Sequence, residues 1–461
     1  MDADVKRKGP MSLKPQFVTV SERGLKARAR SRRLERAVYR AYREGRQTIA
    51  LIRTDMREIE TIITGFTEIG IPTTTLTPAA VVSRPARHVR EALSNGAGVV
   101  VLPLAGGPYW QEQVVGALRY SLALPAPRDL DREEAGGLDA PVPAVPLKLA
   151  MLGCGVVGSA VLEALLAEAG HVTVSAVMAR DLERHRARFP GVQFVHELDE
   201  LFATSPDVFI DLGSREAPSL EAMRRALRAG VPVITANKQV LAAHYDELKG
   251  LAGETPLAHS AAVGGSTPVL ECVRHLAGEG LVEIRGVVNG TVNFVLSRLA
   301  AGASLEDALA AARKAGLAEA DPSDDLDGHD AAAKASLIAR AAFGRTPQEP
   351  VLRERLAEAL DRHQAAVAEG RLRQITQVAP DADGVVRARA EFVALEADDP
   401  LLRCRDAQNG LVLRLRDGRS HAVFGLGAGG RPTAAAVLAD LEDILHARVR
   451  SAVSDRAVAN G

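Results

Sequence analysis

Two charged residues four positions apart, Asp330 and Lys334, give the first indication of chemistry in this 461-residue chain. Residues at positions i and i+4 share one face of a helix, so a carboxylate and an ammonium group can act together on one small molecule. An acidic stretch with Glu319 and Asp325 precedes them. Alone, such a stretch is typical of a solvated loop that caps a helix. The lysine on the following helix favours a reactive site.

A glycine-rich turn predicts a second site. The apolar strand expected over Leu147–Leu152 runs into Gly153, Gly155 and Gly158, and then into a helix expected over Val157–Ala169. The first glycine permits a tight turn, the second lets a pyrophosphate approach the backbone, and the third lets helix and strand pack closely. The helix N-terminus offers its unpaired N–H groups to the phosphates. Because the strand and the helix are both present, the pattern predicts a dinucleotide-binding site.

The ends of two further strands bear on the cofactor. The strand expected over His171–Met178 is followed by Arg180, a cation suited to the 2′-phosphate of NADP, and then by Asp181, which suits the ribose hydroxyls of NAD. NADP is favoured and NAD stays open. Lys238 follows the strand expected over Val231–Thr235, at the carboxyl edge where open α/β sheets bind ligands. A surface lysine at a helix start is the plain alternative.

Composition excludes several classes of protein. The formal net charge of -1 creates no field that would attract a polyanion or an anionic membrane. Hydrophobic residues make up 47% and charged residues 25%, as in globular proteins. Cys154, Cys272 and Cys404 are odd in number and widely spaced, so they form no disulfide framework or metal motif. With no signal core and no apolar run of membrane-spanning length, a cytoplasmic protein is expected.

The first third of the chain gives no catalytic pattern. We predict a basic arm and helix at 1–46, a small α/β domain of unknown role at 47–123, and a Pro- and Gly-rich linker at 124–146. The small domain includes strands expected over Thr48–Ile52, Ile71–Leu76 and Gly98–Leu102. A solvated basic helix, roughly Leu25–Glu44, is favoured over a nucleic-acid-binding arm, because no aromatic stacking platform accompanies the charges.

Several later segments carry a family resemblance. They are the tetrad Thr235–Lys238, the glycine-rich loop His259–Pro268, the turn Gly286–Phe294, the acidic segment Gly316–Lys334 and the C-terminal Phe424–Ala434. From about Leu147 to Leu445 the chain resembles homoserine dehydrogenases, with these motifs in the family's order. The resemblance implies an α/β fold in which a Rossmann-type dinucleotide-binding domain, 147–259 and 422–461, is split by an inserted mixed α/β substrate-binding and dimerisation domain, 260–421.

The resemblance also implies a reaction and a set of roles. The reaction is the NAD(P)-dependent interconversion of L-homoserine and L-aspartate 4-semialdehyde, in threonine and methionine biosynthesis, by a homodimer or a higher homo-oligomer. Lys238 and Lys334 would flank the reacting oxygen, with Asp330 beside Lys334, while Glu319, Asp325 and Asp330 would surround the substrate ammonium group. Cofactor-binding residues would be Gly153, Gly155, Val156, Val157, Gly158, Arg180, Gly213, Ser214, Lys238, Gly316 and Gly427.

The family often binds a monovalent cation through backbone carbonyls, which here would be those of Ser260, Val263, Gly265 and Thr267, for Na+ or K+. Ser260, Ser266 and Val292 depart from the residues usual in the family. They leave open an enzyme of the same class that acts on another amino-aldehyde or 2-amino alcohol. A non-catalytic ligand sensor is a third hypothesis, which the presence of both lysines disfavours.

Overall fold

The computed structural model describes residues 146–167, 172–265, 267–319, 321–427 and 429–459. Of the first 145 residues it describes short stretches, namely 16–20, 34, 38–39, 41–43, 47–52, 63, 66, 71–75, 89, 92, 99–103 and 128–129. The chain forms two compact units. Unit 1 comprises Met1–Glu133 and Thr267–Gly427, and unit 2 comprises Glu134–Ser266 and Ala428–Gly461. No helix among the described residues combines the length and apolar character needed to cross a bilayer.

Unit 1 begins with a parallel sheet whose five described strands run in the order β3-β4-β2-β1-β5. Their bounds are β1 (Gln16–Val20), β2 (Thr48–Ile52), β3 (Thr73–Thr75), β4 (Val99–Pro103) and β5 (Arg128–Asp129). The predicted strand at Thr48–Ile52 is confirmed, and the next two are confirmed with shifted ends. The predicted helices over Met56–Glu68 and Ala86–Ser94 contain helical residues at Ile63, Phe66, Val89 and Ala92. The one at Gln111–Ser121 lies outside the described residues.

Two N-terminal boundaries need correction. Strand β1 lies inside the predicted basic arm, where its pairing with β2 makes it part of the sheet. Strand β5 lies inside the predicted linker and pairs with β1. Both strands are short, and their pairing depends on backbone partners far along the chain, which local composition does not reveal. The N-terminal α/β region therefore extends beyond 47–123 at both ends.

Unit 2 contains a parallel sheet in the order β11-β10-β9-β6-β7-β8, the arrangement of a Rossmann-type domain. Its strands are β6 (Leu147–Leu152), β7 (Val172–Met178), β8 (Phe194–Val195), β9 (Val208–Asp211), β10 (Val233–Thr235) and β11 (Leu257–Ala258). Its helices are α1 (Val156–Ala167), α2 (Leu182–Arg188), α3 (Leu198–Ala203), α4 (Glu216–Arg228) and α5 (Lys238–Ala252), followed by the 3-10 turn Ser260–Ala262. The central strands are buried along most of their length, as expected when helices cover both faces of a parallel sheet.

The chain then returns to unit 1 as a mixed sheet in the order β13-β15-β14-β12-β16-β17. The strands are β12 (Leu281–Val287), β13 (Leu352–Arg353), β14 (Leu372–Pro380), β15 (Val386–Ala394), β16 (Gln408–Leu415) and β17 (Ser420–Leu426). The helices are α6 (Val269–Ala277), α7 (Gly290–Ala300), α8 (Leu305–Lys314), α9 (Ser323–Leu326), α10 (His329–Phe343), α11 (Leu356–Arg362) and α12 (Gln364–Ala368). Helix α10 packs against β14, β15 and α6.

The C-terminal helix α13 (Gly430–Ala459) completes unit 2, where Val437 and Leu441 join Val161 in the core. Two predicted domain limits therefore move. Residues 260–266 belong with unit 2 rather than with the inserted domain. Residues 422–426, predicted to return to the dinucleotide-binding domain, are the end of strand β17 in the mixed sheet.

The N-terminal region and the mixed sheet belong to one compact unit, although the sequence suggested a separate small domain. Leu34, Val38, Tyr39, Ala41, Tyr42 and Arg43 are helical and buried, and all lie within the predicted basic helix. Arg43 Nε donates to Glu271 Oε1 of α6 at 2.8 Å, and both side chains are largely buried. The Cys272 thiol donates a hydrogen bond to the Arg43 carbonyl oxygen at 3.9 Å. Part of the basic helix is therefore a buried packing element.

Candidate active site

The three glycines in the glycine turn of unit 2 are of two kinds. A Cβ on Gly153, whose φ is +97°, would overlap the Leu212 carbonyl group, and a Cβ on Gly158 would overlap the Gly153 carbonyl oxygen. Those two glycines are required by the packing of strand and helix. Gly155 is exposed, and a Cβ there would meet nothing within 4 Å. A glycine at this open position suits a ligand that approaches the backbone closely.

The start of α1 supports the same interpretation. Val156 is 77% exposed at the first residue of the helix, which is unusual for a large apolar side chain. Val157 is partly buried. The N–H groups of the first turn of a helix have no intrahelical acceptor, so this end attracts an anion. The residues present therefore fit the pyrophosphate of a dinucleotide.

At the end of β7, Arg180 is exposed. The neighbouring Asp181 is the N-cap of α2, and its Oδ1 accepts from the Arg184 backbone N–H at 3.1 Å. One oxygen of the Asp181 carboxylate is therefore occupied by helix capping. Arg180 directly precedes Asp181 and is exposed, after the strand whose end lies near the ribose in Rossmann-type folds.

A buried carboxylate, Asp211, holds the ends of β9 and β10. Its Oδ1 accepts from Ser219 Oγ at 2.8 Å and from the Gly213 backbone N–H at 3.1 Å. Its Oδ2 accepts from Thr235 Oγ1 at 2.9 Å. Burial raises the pKa of Asp211, and these hydrogen bonds, which favour the carboxylate, act in the opposite direction. Asp211 therefore fixes the loop that carries Gly213 and the exposed Ser214.

The same network reaches Lys238. Thr235 Oγ1 also accepts from the Asn237 backbone N–H at 3.0 Å, and Asn237 Nδ2 donates to the Gly213 carbonyl oxygen at 3.2 Å. Asn237 is the N-cap of α5, since its Oδ1 accepts from the Val240 backbone N–H at 3.2 Å. Lys238, the first residue of α5, is partly exposed. The orientation of the helix end that presents Lys238 thus depends on Asp211.

In unit 1, Asp330 and Lys334 share one face of α10, as their spacing predicts. Lys334 Nζ lies 2.8 Å from Asp330 Oδ2 and donates to the Val288 carbonyl oxygen at 2.7 Å. Both side chains are at least 90% buried. An ammonium group has three N–H donors, and one of them donates to the Val288 carbonyl oxygen. The Asp330 carboxylate is close enough for an ion pair, and no further hydrogen-bond acceptor of Lys334 is found among the described residues.

The predicted acidic group lies partly around this lysine. Asn289, the N-cap of α7, donates from Nδ2 to Asp325 Oδ1 at 3.0 Å, and its own Oδ1 accepts from the Val292 backbone N–H at 2.9 Å. Asn289 directly follows Val288, so the turn between β12 and α7 connects Asp325 to the carbonyl group that accepts a hydrogen bond from Lys334. Glu319 is exposed on the segment after α8. The structure joins Asp325, Asp330 and Lys334 through this turn, and it records no contact of Glu319 with them.

The remaining predicted positions have simpler surroundings. Gly316 is an exposed turn after α8 with φ +69°. Gly427 lies against the Asn409 side chain, which a Cβ there would overlap. Val292 is fully buried among apolar residues, so its departure from the family pattern concerns packing rather than direct contact with a substrate. Ser266 lies outside the described residues.

The predicted cation ligands are backbone groups in and after the 3-10 turn. Ser260 and Val263 are buried, Gly265 has φ +61°, and the Thr267 carbonyl oxygen accepts from the Val269 backbone N–H at 2.7 Å. The Ser260 backbone N–H donates to Asp440 Oδ2 at 2.9 Å. Among the described residues no group of three or more His, Cys, Asp or Glu side chains could hold a metal ion. That finding does not concern a site built from carbonyl groups.

Sequence reasoning missed two residues. Asp211 follows three apolar residues at the end of a buried strand and precedes Leu212-Gly213, a position at which an acid has to be paired by hydrogen bonds. That pattern was available as a signal. Asn409, which donates from Nδ2 to the Val288 carbonyl oxygen at 3.3 Å, gave no local signal. A single asparagine near the start of a strand is ordinary, and its partner is 121 positions away.

Comparison with known proteins agrees with this geometry. The family model for the homoserine dehydrogenase NAD-binding domain matches residues 153–257, and the homoserine dehydrogenase model matches residues 268–441. The chain is 30% identical over 319 residues to the homoserine dehydrogenase of Lactococcus lactis, covering 65% of this chain and 74% of that one. N-terminal to residue 153, no family model matches.

Solved structures give the same result. A homoserine dehydrogenase from Thiobacillus denitrificans superposes with a TM-score of 0.61 and 26% identity, covering 68% of this chain and 75% of that one. A hyperthermophilic archaeal homoserine dehydrogenase in complex with NADPH superposes with a TM-score of 0.56 and 27% identity, covering 66% and 98% respectively.

The fold, the glycine turn and the buried lysine define a nicotinamide-dependent oxidoreductase. Within that class, both family models and the curated relatives name the same enzyme family. The chain belongs to the homoserine dehydrogenase family.

Proposed function

We propose that this protein catalyses the reversible oxidation of L-homoserine to L-aspartate 4-semialdehyde, with NADP as the preferred cofactor and NAD as the alternative. The observation that carries the proposal is the environment of Lys334. Its ammonium group is buried, donates to the Val288 carbonyl, pairs in charge with the Asp330 carboxylate, and retains N–H donor capacity beyond its one recorded hydrogen bond among the described residues. A fixed ammonium group with remaining donor capacity suits proton transfer to or from a single substrate oxygen.

The proton-handling roles follow from this geometry. In the reducing direction Lys334 donates its proton to the aldehyde oxygen, and in the oxidising direction its neutral amine accepts the hydroxyl proton. Asp330 keeps the lysine side chain in place and balances its charge. As the family resemblance implies, Lys238, the first residue of α5, would stabilise negative charge on the reacting oxygen. When bound, the nicotinamide supplies the site for the hydride that leaves the alcohol carbon.

Substrate recognition is assigned to the acidic residues. Glu319, Asp325 and Asp330 are proposed to bind the substrate ammonium group. Asp325 is held by Asn289, which limits its movement, whereas the Glu319 side chain is exposed. An ammonium group paired with fixed carboxylates distinguishes an amino alcohol from a simple alcohol of the same length.

The cofactor is proposed to bind to unit 2. Gly153, Gly155 and Gly158 would receive the pyrophosphate with the first turn of α1, at Val156 and Val157. Gly213, Ser214 and Lys238 of unit 2 would add further contacts, as the family resemblance implies. Gly316 and Gly427 belong to unit 1, and their assignment to the cofactor comes from the family resemblance alone. The preference for NADP is supported by exposed Arg180 beside Asp181, which caps a helix.

Three further assignments are proposals from the family. A Na+ or K+ ion would be bound by the carbonyl groups of Ser260, Val263, Gly265 and Thr267, and replacing both ions by tetramethylammonium would then lower activity. The protein would be a homodimer or a higher homo-oligomer in the cytoplasm, serving threonine and methionine biosynthesis. Three free, buried cysteines support a reducing compartment. Light scattering of the purified protein tests the oligomeric state.

The experiment for the proposed function is a substrate comparison with the full chain. We expect NADP-dependent oxidation of L-homoserine with a kcat/KM about 100-fold above that for 4-hydroxybutanoate, which lacks the ammonium group, on the order of 3 kcal/mol. A better rate with another 2-amino alcohol would favour the same chemistry on a different substrate. Cofactor binding without turnover of any amino alcohol would contradict the proposal and support a ligand sensor.

A further inference from the structure

The Val288 carbonyl oxygen accepts two side-chain hydrogen bonds. Lys334 Nζ donates at 2.7 Å, and Asn409 Nδ2 donates at 3.3 Å. Val288 lies between the end of β12 and the N-cap of α7, and it is 1% exposed. Because a carbonyl oxygen has two lone pairs, these two donors use its full capacity. The direction of the Lys334 ammonium group therefore depends on a carbonyl that Asn409 also holds.

Asn409 is itself tightly placed. It lies on β16 opposite Gly425 of β17 and is fully buried. Gly427 faces its amide, and a Cβ at that position would overlap the Asn409 side chain. The amide therefore fills space left by a glycine, which restricts its rotation.

Stability alone does not account for an amide at this position. Asn409 Oδ1 is buried and has no hydrogen-bond partner among the described residues. An unsatisfied buried acceptor costs about 1–3 kcal/mol, which an apolar side chain of similar size would avoid. The beginning of β16 is already held by Asn293, whose Nδ2 donates to the carbonyl oxygens of Asp406 at 2.8 Å and Gln408 at 3.3 Å. What the amide of Asn409 adds is its bond to Val288.

We propose that Asn409 is a positioning residue for Lys334, an inference that rests on the proposed function. By holding the Val288 carbonyl from β16, Asn409 fixes the acceptor that orients the ammonium group. The remaining Lys334 N–H donors then have fixed directions, one of them towards the reacting oxygen of the substrate. Asn409 touches neither substrate nor cofactor in this role, and its effect is expected on the chemical step rather than on binding.

The test uses the full chain with Asn409→Leu and Asn409→Asp, which keep the approximate shape and remove the donor. For both variants we expect kcat for homoserine oxidation to fall about 10- to 100-fold, while KM and the Kd for NADPH change less than about 3-fold. With homoserine deuterated at the reacting carbon, the isotope effect on kcat should rise, because hydride and proton transfer become slower than product release. In a Lys334→Ala background, Asn409→Leu should change the residual rate less than about 2-fold.

A matched control is Thr376→Val. Thr376 is 1% exposed on β14 of the same sheet, and its hydroxyl has no partner among the described residues. This isosteric change also removes a buried polar atom, but one that does not contact Val288. We expect unchanged kcat. If Thr376→Val and Asn409→Leu lower kcat equally, the effect is a general one of the sheet and the proposal is overturned.

A second readout does not depend on turnover. The rate at which acetic anhydride labels Lys334, measured by mass spectrometry against the exposed Lys249, reports how firmly the amine is held. In Asn409→Leu we expect this ratio to rise about 3-fold or more while the melting temperature stays within about 2 °C. An unchanged labelling ratio together with an unchanged kcat overturns the proposal. If the wild-type protein does not oxidise homoserine, the proposed function fails, and the labelling ratio alone decides whether Asn409 positions Lys334.

Discussion

In unit 2 the groups proposed to bind a cofactor are fixed by backbone geometry and by neutral donors around one carboxylate, Asp211. In unit 1 the lysine proposed to act on a substrate, Lys334, is fixed by the charged Asp330 on its own helix and by the Val288 carbonyl group. A cofactor with a long, flexible phosphate backbone is recognised through many N–H groups of the chain. Proton transfer requires one side chain at one position, which a buried ion pair and a fixed acceptor provide.

The largest change in cofactor binding is expected in the glycine turn of unit 2. Gly155→Val should weaken NADPH binding about 30-fold or more, on the order of 2 kcal/mol, because the side chain enters the space that the pyrophosphate needs. The melting temperature should stay within about 2 °C, since a Cβ at this position meets no protein atom. Fluorescence titration and thermal melting measure both quantities.

Gly158→Ala is the matched control for that change. Its Cβ would overlap the Gly153 carbonyl oxygen, so this variant should lose about 1–3 kcal/mol of unfolding free energy. Equal losses of stability in the two variants would show that Gly155 is also required by packing, and that its open surroundings do not mark a ligand site.

Arg180 sharpens the comparison on the cofactor side. Arg180→Ala should raise the Kd for NADPH about 10-fold and leave the Kd for NADH within about 2-fold. The substitution removes a guanidinium group proposed to form a charge-assisted bond with the 2′-phosphate, which NADPH has and NADH lacks. Arg180→Lys, which keeps the charge, serves as the control. Equal weakening of both cofactors would contradict the assignment of Arg180.

The N-terminal region should affect the stability of unit 1. Glu271→Leu leaves Arg43 buried without this carboxylate and should reduce the free energy of unfolding by about 3 kcal/mol. The double variant Arg43→Met with Glu271→Leu removes both charges and should recover most of the loss. Denaturant unfolding of the three proteins measures this. If Glu271→Leu is as stable as the wild type, the N-terminal region does not depend on α6 through this pair.

The smallest effect concerns the thiols, which lie in both units. Burial raises the pKa of Cys154, Cys272 and Cys404, that of Cys404 to about 12, above the ordinary thiol value of 9.0. At pH 8 the folded protein should therefore react with iodoacetamide about 10-fold more slowly than the unfolded chain. A raised thiol pKa stabilises the folded state fully below pH 9, and this contribution is lost as the pH rises above it. Rapid alkylation of the folded protein at pH 8 would contradict the burial of these groups.

The two units also differed in how much their sequence revealed. Strand β6 was predicted with its correct ends, because an apolar run stops at a glycine that only a tight turn tolerates. The pairing of Asp330 with Lys334 followed from helical spacing alone. The family assignment was likewise available from motif order. These features are local, so a few neighbouring residues determine them.

Features that depend on distant partners were not predicted. Strands β1 and β5 were assigned to an arm and a linker, because the basic residues around β1 and the Pro- and Gly-rich composition around β5 indicated no strand, and their pairing partners lie elsewhere in the chain. Asn409 was overlooked, since its importance comes from a carbonyl group on another strand. The roles of the site residues remain predictions of the sequence and of the geometry together.

Lys334→Ala tests the central claim most directly. In the full chain, kcat for homoserine oxidation should fall about 100- to 10,000-fold, the range that general acid–base catalysis contributes, while the Kd for NADPH stays within about 2-fold of the wild type. An intact melting profile, measured alongside, excludes a simple loss of folding. If Lys334→Ala binds NADPH normally and oxidises homoserine at the wild-type rate, Lys334 does not handle the proton and the account is wrong.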